Sequence, residues 1–419
     1  MKKSIIGAVL GMASLGLVLA GCGGGDNGGG SSSGDEKQTI TYGLWDKAQA
    51  PVYEEIAKDF EKENPNITVK FEITPWAQYW TKLETAVTGQ NAPDVFWMNI
   101  PRVVDYIDNG VLEPLDDLAF DKDKIHDQYL QAYTGADSKL YGVPKDFDTN
   151  GLWYNKKMFD DAGIAYPDDT WTWDTWKEVA QKLTDKDKGI YGMAVPATWQ
   201  GGYYETIYQN EGSPFSEDGK ASGFTEPATI EGVEFWYDFV KDGSGTPIEL
   251  ITNTNQTELM LSGKVAMAVD GSYQTPVFFE EEYGKENIDV APLPKGKVRA
   301  TTSNSLANVV YAGSKHKEAA KKWVEYLTTE ESMKHVAESG TVIPVYEGSQ
   351  EAWVNAYPDK NLQVFVDAAD YAVALPNYKN SSAAIAIEQD SINKAWTGEI
   401  TVKEACEEIA KKADEILKQ

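Results

Sequence analysis

Tyr141-Gly-Val-Pro-Lys-Asp-Phe-Asp-Thr-Asn-Gly-Leu-Trp-Tyr-Asn155-Lys-Lys-Met-Phe159 is the stretch whose reading decides the fold. Gly142 and Pro144 open it as a turn, and Asp146, Asp148 and Asn150 make it polar. It then becomes the apolar run Leu152-Trp153-Tyr154 and leads into a helix predicted over Lys156 to Ala162, which Gly163 can stop. Polar side chains at a strand start, then strand, then helix, are what an α/β domain shows where chain enters it. Spacing alone describes an ordinary loop before an ordinary strand equally well.

Working outward, Gly142-Val-Pro-Lys-Asp-Phe-Asp148, Trp153-Tyr154-Asn155-Lys156 and Pro167…Thr170-Trp171-Thr172-Trp173 occur together. That combination resembles the extracellular solute-binding proteins of ABC transporters, in the sugar-binding group that includes maltose-binding protein. The resemblance covers most of the chain after residue 38. It implies an α/β, two-lobed periplasmic-binding-protein-like (type II) fold with a hinge between the lobes, and it makes residues 141–159 the first hinge strand. Ala291-Pro-Leu-Pro-Lys-Gly296 is similar to the family's strand before a second crossing, which then falls on Thr302 to Asn308. A third crossing is expected near Ser339-Gly340. Asp148 aligns with the family's acidic hinge residue, implied to accept hydrogen bonds from sugar hydroxyls. Asp270-Gly271-Ser272-Tyr273 resembles the family's Gly-Ser-Trp element, with Tyr273 as the stacking ring. Near the C-terminus Leu375-Pro376-Asn377-Tyr378 precedes small residues, Ser381 to Ala384, where some members carry a stacking Trp. Tyr378 is the candidate substitute, and the departure weakens a malto-oligosaccharide preference.

Before the body, Lys2 and Lys3, the apolar run Ile5 to Leu19 and Leu19-Ala20-Gly21-Cys22 form a signal peptide over residues 1–21, too short for a membrane span. Its ending resembles a bacterial lipobox, which implies acylation (palmitate among the chains) at Cys22 and anchoring by more than one chain. Gly23 after the Cys and the Gly/Ser tract suit a surface lipoprotein of a monoderm bacterium, on the outer face of the cell membrane. Residues 22–38 form the lipidated Cys and a flexible tether reaching about 20–24 Å. The remaining length is too great for one core and predicts two domains. They are assigned as 39–146 with 306–335 for lobe 1, and 150–300 with 340–419 for lobe 2.

The net charge of −28 argues against nucleic acid and anionic lipid surfaces as partners. Once Cys22 is lipidated, Cys406 has no partner for a disulfide. It lies on the apolar stripe Val402, Cys406, Ile409, Ala413, Ile416, which predicts a buried small apolar residue.

The body begins with predicted strand 39–43, a helix burying Val52, Ile56 and Phe60, strand 67–73, a loop through Pro75-Trp76-Ala-Gln-Tyr79-Trp80, a helix over 82–88, and buried strand 95–98 ending at Asn99. This β-α-β-α-β order is that of a parallel sheet, where ligands sit beyond the carboxyl ends of strands. Trp45, Asp46, Trp97 and Asn99 are read at those ends. Later come the aromatic, glycine-rich stretch around Trp199, Gln200 and Tyr203, a helix over 315–327 capped by Ser314, and a capping box Thr401…Glu404.

Sugar recognition needs flat aromatic faces for the C–H side of a ring and planar polar groups for its hydroxyls. The stacking candidates are Trp45, Trp76, Trp97, Trp199, Tyr203, Tyr273 and Tyr378. The polar candidates are Asp46, Asn99, Asp148, Gln200 and Asn308. Trp236 and Trp323 lie in helical patterns and are assigned to core packing. Three histidines without ligand spacing, and no nucleophile elbow or phosphate loop, argue against an enzyme. The expectation is a monomeric carrier without cofactor or metal, delivering a carbohydrate ligand to ABC permease subunits. The alternatives are a secreted glycoside hydrolase, whose paired carboxylates the 66 acidic residues would supply by chance, and a sensing lipoprotein that reports to a membrane receptor.

Overall fold

The computed structural model describes residues 37–196 and 198–419. The signal segment, Cys22 and nearly all of the tether lie outside the described residues. The described residues form ten strands: β1 Gln38–Leu44, β2 Ile67–Ile73, β3 Val95–Asn99, β4 Val143–Asn155, β5 Tyr191–Met193, β6 Val265–Gly271, β7 Ile288–Ala291, β8 Thr301–Val310, β9 Ile343–Pro344 and β10 Ala372–Ala374. Their hydrogen-bonded order is β2-β1-β3-β8-β4-β6-β5, with β10 on β8 and both β7 and β9 on β4.

β4 is the strand around which this order turns. Its first half, Val143 to Thr149, pairs antiparallel with β8 and touches β9, while its second half, Asn150 to Asn155, pairs with β6 and β7. One thirteen-residue strand thus belongs to two sheets. All of it is buried except Asp148, the one half-buried position. Pro144 has no N–H for the ladder, and the register with β8 shifts between Pro144 and Asp146, so Lys145 is the extra residue of a bulge. The bulge directs Lys145 into the core beneath β3.

On one side of β4, β2, β1 and β3 run parallel, and β8 joins β3 antiparallel. Helix α1 (Ala50–Glu63) connects β1 to β2, α2 (Trp76–Thr88) connects β2 to β3, and α3 (Ile100–Asp108) follows β3. α1 buries Val52, Ile56 and Phe60 as its 3.6-residue period requires. On the other side, β6, β5 and β7 are covered by helices Trp173–Leu183, Pro227–Asp242 and Val402–Leu417. Trp236 and Trp323 are fully buried, and so is Cys406. The box at Thr401 and Glu404 forms with both reciprocal bonds. Helix Lys156–Ala162 is followed by Gly163 at φ +65°, the left-handed stop that its sequence indicates.

Two local expectations are corrected. Residues 76–80 are not a loop but the first turns of α2, because Tyr79, Trp80 and Leu83 share one buried face. Ser314 does not cap the following helix, which runs Lys317–Tyr326; its hydroxyl donates to Asp94 at 2.6 Å.

Candidate functional site

Beyond the carboxyl ends of β1 and the start of α2 lies an aromatic cluster. The Trp45 ring meets Trp76 at 5.1 Å, Tyr79 at 4.8 Å, Trp80 at 5.8 Å and Trp97 at 5.2 Å between centroids. Most of these are edge-on packings, which leave ring faces pointing away from the contact. Trp76 is 53% exposed and is the outermost member, while Trp45 is half-buried. Arg102 lies over the Trp80 ring at 4.5 Å, at the first turn of α3. Asp46, next to Trp45, accepts from Ala48 N–H and from Gln49 Nε2, both at 2.8 Å. Gln49 in turn accepts from Lys145 at 3.2 Å, so this loop is tied to the bulge in β4.

A polar chain runs from β3 across both long strands. Asn99 ends β3 with its Oδ1 buried and without a protein donor. Ile100 N–H reaches Asn304 Oδ1 at 3.4 Å, and Asn304 N–H reaches Asp148 Oδ1 at 3.4 Å. Gln200 Nε2 donates to the same Asp148 oxygen at 2.9 Å. Asp148 Oδ2 takes none of these bonds. Burial, with Asp146, Glu205 and Asp270 nearby, holds the Asp148 carboxyl well above the usual carboxylate range, partly offset by the Asn304 amide. A half-buried oxygen in such surroundings gains strongly from an incoming hydroxyl donor.

Asn150 of β4 is the register partner of Gly271 in β6. There the Tyr273 ring lies against the Gly271 backbone, so close that a Cβ would stand 2.2 Å from ring carbon Cε1. Only glycine permits that approach, and it leaves Tyr273 37% exposed. Asp270 is buried, its carboxylate taking Gln256 at 2.6 Å and Gln274 at 3.1 Å; burial raises its pKa and these donors oppose the rise. Trp199 is half-buried, 5.4 Å from Tyr204, immediately before Gln200.

The structure therefore joins Trp45 to Trp76, and Asp148 to Gln200. Three expectations are corrected, those for Trp97, Asn308 and Tyr203. Trp97 is not at a strand end but inside β3, fully buried; its Nε1 donates to Tyr42 at 2.6 Å, and Lys145 sits 3.9 Å over its ring. Asn308, the Trp97 partner in β8, accepts from the same Tyr42 hydroxyl at 2.6 Å and is buried. Tyr203 is fully buried with its hydroxyl donating to Glu388 at 2.9 Å. Tyr378 lies against Phe215 and over Gly219, with its hydroxyl 3.5 Å from the Glu217 carbonyl. Asn304 and Glu205 join the site without having stood out in the sequence as site residues. The polar run Thr301 to Ser305 in a strand this buried was the available signal for Asn304.

Among the described residues, no group of three or more His, Cys, Asp or Glu is placed to hold a metal. What the arrangement offers is an exposed Trp76 ring and a half-buried Trp45 ring beyond β1, and planar hydrogen-bonding groups at the end of β3 and in β4 and β8. That is the surface of a ligand-binding protein for polyhydroxylated solutes. Residues 42–334 match the bacterial extracellular solute-binding protein family, and the chain belongs to it. A maltooligosaccharide ABC transporter solute-binding lipoprotein of Streptococcus pneumoniae is 24% identical, covering 100% of this chain and 98% of its own. A diacetylchitobiose binding protein of Streptomyces coelicolor is 26% identical, covering 84% of each. Among solved structures, an ABC substrate-binding protein of Listeria monocytogenes in complex with cycloalternan superposes with a TM-score of 0.85 at 27% identity, over 91% of this chain and 99% of that one. A solute-binding protein of Thermotoga lettingae bound with α-D-tagatose gives 0.81 at 26% identity, over 91% and 100%. The fold is thus the two-lobed α/β type of these sugar-binding proteins.

Proposed function

We propose that this protein binds a sugar or oligosaccharide outside the cell membrane and delivers it, chemically unchanged, to an ABC importer. Two local groupings support the reading: exposed Trp76 packed on half-buried Trp45 beyond β1, and Asp148 of β4 bonded to Gln200, with Trp199 next to it and Tyr273 partly exposed at the end of β6. A pyranose bound there would lay its C–H face on a ring and present a hydroxyl to Asp148 Oδ2.

The lobes in this reading are residues 39–146 with 306–335, and 150–300 with 340–419, and they close on the ligand as hinged bodies. With these boundaries, α3 and helix Ser381–Ala386 belong to opposite lobes, and they already touch. Asp105 accepts from Asn380 N–H at 2.9 Å, and the Ser381 hydroxyl lies 3.4 Å from the Pro101 carbonyl. Such contacts suit a closed form that a permease recognises. Cys22 carries the lipid anchor and the residues between it and β1 form the tether, shorter by Gln38 than the sequence indicates because that residue pairs with Ile67; together they hold a monomeric body at the outer surface. Hydrolysis is disfavoured by the carboxylates nearest Asp148. Asp146 is paired with Lys145, Glu205 is bonded to Thr302, and Asp270 is bonded to Gln256. None of the three resembles the free partner that a glycosidase sets across its substrate.

The test is thermal unfolding of residues 37–419 against maltotriose, cycloalternan, diacetylchitobiose, tagatose and mannitol. A ligand at a hundred times its Kd stabilises by about 2.7 kcal/mol. A raised midpoint with one sugar, recovered intact by chromatography, supports the reading. Cleaved sugar, or no shift across this and a wider carbohydrate panel, overturns it.

A further inference from the structure

Glu205 stands in the first turn of helix Tyr204–Gln209, fully buried and without a cationic partner among the described residues. Its carboxylate instead collects donors from three separate segments. Oε1 accepts from Asn150 Nδ2 of β4 at 2.9 Å, from Thr302 Oγ1 of β8 at 2.5 Å and from Gly201 N–H at 3.2 Å. Oε2 accepts from Thr302 N–H at 2.7 Å. Asn150 Nδ2 also donates to Thr302 Oγ1 at 2.9 Å, which closes the group. Burial of a charge this deep is costly unless donors surround it, and here they do.

We infer that Glu205 is a positioning residue that couples the two long strands β4 and β8 to the loop presenting Trp199 and Gln200. The inference rests on the sugar-cleft reading above. Three features carry it. The backbone of residues 200–202 is irregular, with Gly201 at φ +65° and Gly202 at φ −143°, ψ −126°, so the loop has no regular ladder to fix its path. Gly201 N–H is held by Glu205, and the adjoining Gln200 side chain is the group that reaches Asp148. Asn150 and Thr302, the other two segments Glu205 holds, lie two residues beyond Asp148 in β4 and two before Asn304 in β8. A bend at that place in either strand therefore reaches Gln200 through one carboxylate.

Glutamine cannot replace this group. Each carboxylate oxygen faces a backbone N–H, Gly201 at Oε1 and Thr302 at Oε2, and neither can reverse. Whichever way a Gln amide turned, its NH2 would oppose a donor. Glu205→Gln therefore frees the loop with almost no change in volume.

The experiment compares wild type, E205Q, Q200A, the E205Q/Q200A double variant and T302V, with F239L as a stability control in the same lobe's core. Each is titrated calorimetrically with the tightest-binding member of the panel above. Hydrogen exchange of the peptide spanning 199–203 is followed in the sugar-free proteins. Positioning predicts that E205Q weakens binding about tenfold or more, while F239L leaves Kd within twofold despite a lowered midpoint. It also predicts that the double variant binds no worse than the weaker single variant, since both act through Gln200. Exchange at 199–203 should accelerate in E205Q and T302V and stay unchanged in F239L. Should E205Q fail to fold, T302V carries the same expectations at about threefold in Kd. Wild-type affinity in E205Q, additive effects in the double variant, or unchanged exchange would overturn the inference. Failure of the wild type to bind any sugar would instead overturn the sugar reading, and the exchange comparison alone would then decide the role of Glu205.

Discussion

Replacing Asp148 by Asn probes the site with little change of shape. Oδ1 of Asp148 already takes the Gln200 amide at 2.9 Å and the Asn304 N–H at 3.4 Å. An asparagine can keep both by turning its carbonyl oxygen to that side. Its NH2 then replaces Oδ2, the oxygen assigned to the sugar. A hydroxyl can accept from that NH2, so at a pH above the raised pKa of Asp148 the bond survives but loses its charge. Bonds to charged groups contribute about 1.5–3 kcal/mol and neutral ones about 0.5–1.5. The exchange thus costs about 1–1.5 kcal/mol, or about a five- to twelvefold rise in Kd for one hydroxyl. Stability moves the other way. Burial, with Asp146, Glu205 and Asp270 near it, raises the Asp148 pKa, so removing the charge relieves desolvation and repulsion. Calorimetric titration and thermal unfolding should show weaker binding with an unchanged or slightly raised midpoint. Unchanged affinity would place the sugar elsewhere. A midpoint lowered by several degrees would make Asp148 a structural residue.

Trp76→Ala, at a 53% exposed ring, should weaken sugar binding about fivefold or more while leaving the unfolding midpoint within about a degree; equal affinity in a fluorescence titration would remove Trp76 from the site. Glu388, buried against the Tyr203 and Tyr204 hydroxyls, has its pKa pushed from 4.5 to about 8 by burial. Between those values the folded protein holds a proton that the unfolded chain has released, so this group lowers stability as pH rises from about 4.5 to about 8. Urea unfolding at pH 5, 6, 7 and 8 should show a flatter pH dependence in Glu388→Gln, and parallel curves would contradict the assignment. Burial also pushes the Cys406 thiol up to about 12, so it should resist a thiol-specific disulfide reagent at pH 8 until the protein unfolds; rapid labelling of native protein would contradict its burial.

Apart from the helix start at Trp76 and the cap at Ser314, what the chain announces locally it carries out. The strand at 67–73 and the helix at 156–162 form where their periodicity and stops put them, because neighbours in sequence decide those elements. The doubled role of β4 is legible from its polar start and apolar end, once the resemblance supplies the two sheets. The site is less legible, because its outcome depends on partners far away along the chain. Trp97 and Asn308 look like cleft residues until Tyr42 accepts from one and donates to the other, 55 and 266 residues distant. Tyr203 looks like a stacking ring until Glu388 takes its hydroxyl from 185 residues away. The aromatic run 76–80 contains its own evidence: Trp76, Tyr79 and Trp80 stand at helical spacing, and the turn residue Pro75 only precedes the helix. Glu205 is one acid among many in the sequence, and only the meeting of Asn150, Gly201 and Thr302 around it gives it a role.

In the proposed cleft a sugar lies across β4 and β8 and contacts both the Trp45–Trp76 rings and the Asp148–Gln200 pair. A crystal structure of residues 37–419 with the tightest-binding sugar tests it most directly. Intact sugar is expected in that position, with a ring face on Trp45 or Trp76 and a hydroxyl within hydrogen-bond distance of Asp148 Oδ2. Sugar bound instead in the outer groove lined by Trp173, Phe235 and Tyr237, with the β4–β8 face untouched, would contradict it.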